Sequence, residues 1–217
     1  MSTNYSKNGK LNMSRPAHRI EALDILHHHC VDPKSRTIYV HSELDMEESG
    51  VDFRMATRFI KNMDYLNSQS TSEITIKMFS YGGCWNYGMA MFDCIKNSPS
   101  PTTFFSYGHS RSMSSVIPQA ATKRIISKNC DFMVHYGTYS DDGDFRKVLH
   151  GIKHYERTNP VMLDVYAERC CQGEYAKSKK LGVTGMRNFI KNKIEKHTDW
   201  WLNAEEAVFY GFMDEVV

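Results

Sequence analysis

Three short stretches of this chain bring together residue types that support acyl-transfer chemistry. Ser80-Tyr81-Gly82-Gly83-Cys84 follows an apolar run and opens a helical pattern. Two successive glycines let backbone come close to a ligand, and free amides at a helix start can hold an anion or oxyanion. Gly108-His109-Ser110-Arg111-Ser112-Met113-Ser114-Ser115 lies at a second strand-to-helix junction. There a serine hydroxyl can face a cleft beside backbone amides, the arrangement a nucleophile needs. Phe132-Met133-Val134-His135-Tyr136 places an imidazole, the usual proton acceptor for a serine near neutral pH, after an apolar strand.

Each stretch also has a plainer explanation. Gly-Gly pairs make tight turns, serines cap helices, and loop histidines such as His109 are commonly solvated. Local reasoning leaves these alternatives open. The run His27-His28-His29-Cys30 raises the question of a metal, but consecutive residues point in different directions and set no ligand geometry. No metal and no cofactor is expected.

The elements that must position these residues alternate between apolar runs and helical periodicity. The pattern predicts strands at Thr37–Val40, Ile74–Phe79, Thr102–Phe105, Arg124–Ile126 and Phe132–Val134. Helices are predicted over Val51–Asn67, Trp85–Asn97 and Ser112–Ala121. This is an α/β chain with parallel strands and right-handed crossovers. A longer helical pattern runs from Phe145 to Cys171, with a kink or break expected at Pro160. Its apolar residues lie on more than one side, which asks for partner subunits. Asn203 and Glu206 read as a capping box for a helix over Ala204–Tyr210, stopped by Gly211. Residues 1–20 read as a flexible polar tail, 21–217 as one domain, and the Lys- and Asn-rich stretch 173–196 as an insertion within it.

The chain has 217 residues, 41% of them hydrophobic, enough for one domain with its own core. Its 27 basic and 25 acidic side chains leave a net charge of +2, which gives no argument for a nucleic-acid partner. Cys30, Cys84, Cys94, Cys130, Cys170 and Cys171 include no C-x-x-C pair and read as free thiols of a reducing compartment. Residues 1–20 hold no apolar run long enough for a signal peptide or membrane span. A cytoplasmic protein is expected.

Taken in order along the chain, the three stretches resemble those of the Clp protease proteolytic subunit family. The family's Ser-Pro-Gly-Gly turn is similar to Ser80-Tyr81-Gly82-Gly83, and its Gly-x-x-x-Ser-Met nucleophile loop to Gly108 through Met113. Its Val-Met-Ile-His strand is similar to Phe132-Met133-Val134-His135. Its Arg-Asp-Arg-Phe segment, with the Ser-Ala-x-Glu-Ala that follows, resembles Thr198 through Ala207. The resemblance covers about residues 24–217. It implies a Clp/crotonase-like spiral of β-β-α units with a protruding handle helix. It also implies a Ser112–His135–Asp199 triad, an oxyanion hole from the Gly83 and Met113 amides, and substrate contacts at Gly82 and Tyr136.

The resemblance further implies a serine endopeptidase acting on unfolded polypeptides inside a homo-oligomeric chamber, a heptamer or tetradecamer, with an AAA+ unfoldase as partner. Departures from the family pattern include Tyr81 where it has proline and Tyr136-Gly137 where it has Gln-Pro. The stretch between His135 and Asp199 is also about fifteen residues longer. Such divergence suits a phage-type relative. Competing readings are an ATP-independent phage-type maturation protease, a crotonase-like non-protease, and a non-catalytic ring subunit. Lys123 and Lys128 are the lysines to consider as an alternative base, and neither sits in a motif that would bring it to Ser112.

Overall fold

The structure is a computed structural model that describes residues 16–41 and 50–217, with side chains from residue 22 onward. Most of the stretch read as a polar tail lies outside the described residues. Its last part belongs to helix α1 (Pro16–His29), whose final turn carries His27, His28 and His29. A two-residue strand β1 (Val31–Asp32) pairs antiparallel with β2 (Thr37–His41).

Helix α2 (Phe53–Gln69) starts where Asp52 accepts a hydrogen bond from the Met55 amide at 2.8 Å. Met55, Phe59, Met63 and Leu66, three or four residues apart, form its buried face. Next come β3 (Ile74–Ser80), α3 (Trp85–Lys96) and β4 (Thr102–Arg111). The short helix α4 (Met113–Val116) continues as a 3-10 turn over Ile117–Ala120. Strands β5 (Lys123–Ile126) and β6 (Asp131–Val134) follow. The long helical pattern divides into α5 (Phe145–Glu156) and α6 (Thr158–Cys170). The break falls at Arg157, so Pro160 occupies the first turn of α6, where its missing N–H leaves no intrahelical bond unmade. The last elements are α7 (Glu174–Lys179), α8 (Val183–His197), β7 (Trp200–Leu202), α9 (Ala204–Phe209) and β8 (Glu215–Val216).

Strands β2, β3, β4, β5 and β8 pair in parallel, with β1 antiparallel on the outer edge. This is the α/β architecture expected, a parallel-dominated sheet with helices. Strand β4 runs to Arg111, well past the Phe105 predicted from the sequence. Its first half pairs with β5 through Thr103–Ser106, and its last three residues pair with β6 through His109–Arg111. Met78 pairs with Ser106 but Ser80 with Ser110, so β4 accommodates extra residues around Gly108, whose φ is +60°. Glycine tolerates that backbone, and the irregularity lets one strand serve two neighbours.

The stretch read as an insertion forms α7 and α8, and α8 packs on α6 through the buried Met186, Ile190 and Ile194. Asn203 and Glu206 complete the capping box of α9. The core joins both sheet faces to α2, α3, α6 and α8. Helix α5 buries none of its residues, and Phe145 at its start is 78% exposed.

Candidate active site

The three stretches converge because each follows the carboxyl end of a parallel strand. Tyr81-Gly82-Gly83 follows β3, Ser112 follows β4 and His135 follows β6. In open α/β sheets these ends form the crevice where ligands bind. Here they line a cleft of about 840 Å³, with Gly82, Gly83, Ser112 and His135 in its wall.

Ser112 has φ 53° and ψ −127°, a backbone conformation favoured by glycine and costly for any side chain. Neighbouring contacts hold it there. Its amide donates to the Met133 carbonyl at 3.1 Å, and its own carbonyl accepts from the Ser115 amide at 2.9 Å and hydroxyl at 2.6 Å. The Ser115 hydroxyl also lies 3.0 Å from the Met133 carbonyl and 2.6 Å from the buried Tyr166 hydroxyl. The single Ser115 proton goes to one of these carbonyls, so the Tyr166 hydroxyl, whose phenol burial raises far above its ordinary range, is the donor to Ser115.

The Gly-Gly turn is pinned from the opposite side by Val51. Its amide donates to the Gly82 carbonyl and its carbonyl accepts from the Cys84 amide. Gly82 has φ +106°, and a Cβ there would lie 2.6 Å from the Arg111 carbonyl and 2.9 Å from the Met113 nitrogen. A side chain at 82 would therefore cover the Met113 amide. Among the described residues, neither the Gly83 amide nor the Met113 amide donates to a protein acceptor. Both are free for a ligand oxygen.

His135 Nδ1 lies 3.0 Å from Asp199 Oδ1. Strand β7 pairs antiparallel with β6, placing Trp200 opposite Val134 and so bringing Asp199 beside His135. Thr198, with φ 63° and ψ −63°, turns the chain sharply out of α8, and the Asp199 amide donates to the His197 carbonyl at 2.7 Å. This is the rarer, strained γ-turn, and it sets the height of the carboxylate. The other ring nitrogen, Nε2, is buried and has no hydrogen-bond partner among the described residues.

Tyr136 does not line the cleft. Its ring packs against the core, while His135, Gly137, Thr138 and Tyr139 line the cleft wall. Lys123 is engaged with Glu215 at 2.6 Å, and neither it nor Lys128 lines the cleft. Sequence reasoning missed Tyr166 as the support of Ser115, and Arg111, Tyr81 and Trp201 as cleft-lining residues. Arg111 and Tyr81 stand beside the recognised residues and were open to inspection. Tyr166 has no local signal, since it lies 51 positions from its partner. Among the described residues no group of three or more His, Cys, Asp or Glu side chains is placed to hold a metal ion. None of the described helices is long and apolar enough to cross a membrane.

A parallel-dominated α/β sheet with a cleft at its strand ends defines the structural class. A family model described as Clp protease matches residues 33–217, and the chain belongs to that family. Membership implies a peptidase. The chain is 24% identical over 170 residues to the ATP-dependent Clp protease proteolytic subunits of Streptococcus pyogenes serotype M5 (strain Manfredo), serotype M49 (strain NZ131) and serotype M1. Each match covers 77% of this chain and 80% of the relative.

Proposed function

We propose that this protein is a serine endopeptidase with Ser112 as nucleophile, His135 as general base and Asp199 as the carboxylate that orients the imidazole. The observation that carries this reading is the state of His135. One ring nitrogen is held by Asp199, and the other is left without a partner in the wall of the cleft that Ser112 also lines.

The bond to Asp199 places the proton on Nδ1 and leaves Nε2 as acceptor. His135 Nε2 takes the Ser112 hydroxyl proton as Oγ attacks the peptide carbonyl carbon. The Gly83 and Met113 amides receive the oxyanion. His135 then gives its proton to the departing amine, and a water molecule, deprotonated in the same way, releases the acyl group from Ser112. A hydratase-type reaction on the same fold would call for a carboxylate in the cleft, and none of the described residues lining it is Asp or Glu.

The substrate is an unfolded polypeptide, and the working form is a homo-oligomer of ring type, with an AAA+ ATPase as the partner that feeds it. Helix α5 supports the oligomer: none of its residues is fully buried in its own chain, and Phe145, Leu149 and Ile152 are exposed. The test is reaction with a fluorophosphonate probe together with turnover of a fluorogenic peptide. Both should be present in the native chain and absent in Ser112→Ala. Labelling that survives this change rejects the assignment, and native mass measurement reads the number of subunits.

A further inference from the structure

Arg111, Met133 and Trp201 occupy matching positions on three neighbouring strands. Arg111 pairs with Met133 across β4 and β6, and Met133 with Trp201 across β6 and β7. Paired positions share a face of the sheet, and all three residues line the cleft next to Ser112. The Arg111 guanidinium lies 4.8 Å from the ring centre of Trp201 and 5.6 Å from that of Tyr81. Tyr81 in turn stacks on His109 with ring centres 4.4 Å apart. Two rings thus grip a cation immediately before the nucleophile.

Among the described residues lining the cleft, Arg111 alone carries a permanent charge, and no carboxylate stands beside it in the wall. Its partner Asp131 sits outside the cleft, holds Arg111 through one terminal nitrogen at 2.6 Å, and is 59% exposed. An ion pair that open to water contributes little and exchanges readily. The guanidinium has five donors in a planar fork, a match for a second carboxylate.

We infer that Arg111, held between Tyr81 and Trp201, is a specificity-determining residue that binds an acidic side chain of the peptide next to the scissile bond. The inference rests on the serine-peptidase reading. It makes the cleft selective for Glu and Asp over Lys and Arg near the cut, although the chain as a whole is close to neutral.

The test uses internally quenched peptides, identical except for Glu, Gln or Lys placed in turn at each position flanking the cleaved bond. The native protein should turn over the Glu peptide about tenfold faster than the Lys peptide, in kcat/KM, at one of these positions. Arg111→Gln should bring the ratio near one, and Arg111→Glu should invert it. Binding of the same peptides to the Ser112→Ala protein should follow the same order, a readout that needs no turnover. Fluorophosphonate labelling separates the two levels of the argument. A native chain that fails to label overturns the serine reading and this inference with it. A chain that labels but keeps one Glu-to-Lys ratio in the native and Arg111→Glu forms overturns the inference alone. If Arg111→Glu does not fold, the comparison of native with Arg111→Gln decides in the same way.

Discussion

His135 and Asp199, 64 positions apart in the chain, meet at 3.0 Å through the antiparallel pairing of β6 with β7. That pairing joins the strand that follows the nucleophile's neighbourhood to the segment that follows α8. In the proposed mechanism the carboxylate fixes a tautomer, since a histidine with its proton on Nε2 cannot take one from serine there.

Asp199→Asn keeps the size and most of the packing while allowing the amide to donate to Nδ1. The variant should fold as the native chain does and lose kcat on the order of 10⁴-fold. Circular dichroism checks the fold and peptide hydrolysis the rate. Activity within a few-fold of native removes Asp199 from the mechanism.

Tyr166→Phe deletes the hydroxyl that donates to Ser115, the residue that in turn holds the Ser112 carbonyl. A cost of about 1 kcal/mol in unfolding free energy is expected, the usual net worth of one buried hydrogen bond. Labelling at Ser112 should also slow, because the Ser115 hydroxyl becomes free to turn. Urea titration and the labelling time course measure the two effects separately.

Arg124, which is buried, pairs with the partly exposed Asp214 between β5 and the chain end. Arg124 donates to both Asp214 carboxylate oxygens and to the Gly211 and Phe212 carbonyls. Burial pushes the Asp214 carboxyl up, but the hydrogen bonds and charge of Arg124 outweigh it and hold the group below its ordinary value. A depressed folded value means that the stabilisation is complete above the unfolded value, about pH 4, and is lost as pH falls through the lower folded value. Asp214→Asn should therefore cost about 1 kcal/mol at pH 7, a figure reduced for the exposure of the carboxylate to water, with the gap to the native chain closing below about pH 4. Urea midpoints at pH 7, 4 and 3 give the comparison, and a gap independent of pH contradicts it.

The sequence carried the α/β alternation well because each element's period was strong, as in the Met55, Phe59, Met63, Leu66 stripe of α2. It also carried Ser112, His135 and Asp199 as candidates, since they lie in recognisable stretches. Short pairings were not legible. Strands β1, β7 and β8 have two or three residues each and form only because a neighbouring edge accepts them. Gly108, His109 and Ser110 are turn-forming types, which hides the second half of β4, whereas pairing with β6 draws His109 and Ser110 into the sheet. Tyr136, a substrate contact only by resemblance, packs on the core and is not among the residues lining the cleft. The Arg111, Met133, Trp201 row depends on the register of three strands, which residue spacing does not encode.

The backbone at Ser112 gives this protein two separate optima. With φ 53° and ψ −127°, position 112 is a glycine site occupied by serine, at a cost of about 1–3 kcal/mol. Ser112→Gly should accordingly melt at a higher temperature than the native chain, while Ser112→Ala, equally without a hydroxyl, keeps the strain and gains nothing. A chain tuned for endurance alone would carry glycine here. What it carries is serine, the residue that the serine-peptidase reading makes the nucleophile, at the expense of that stability.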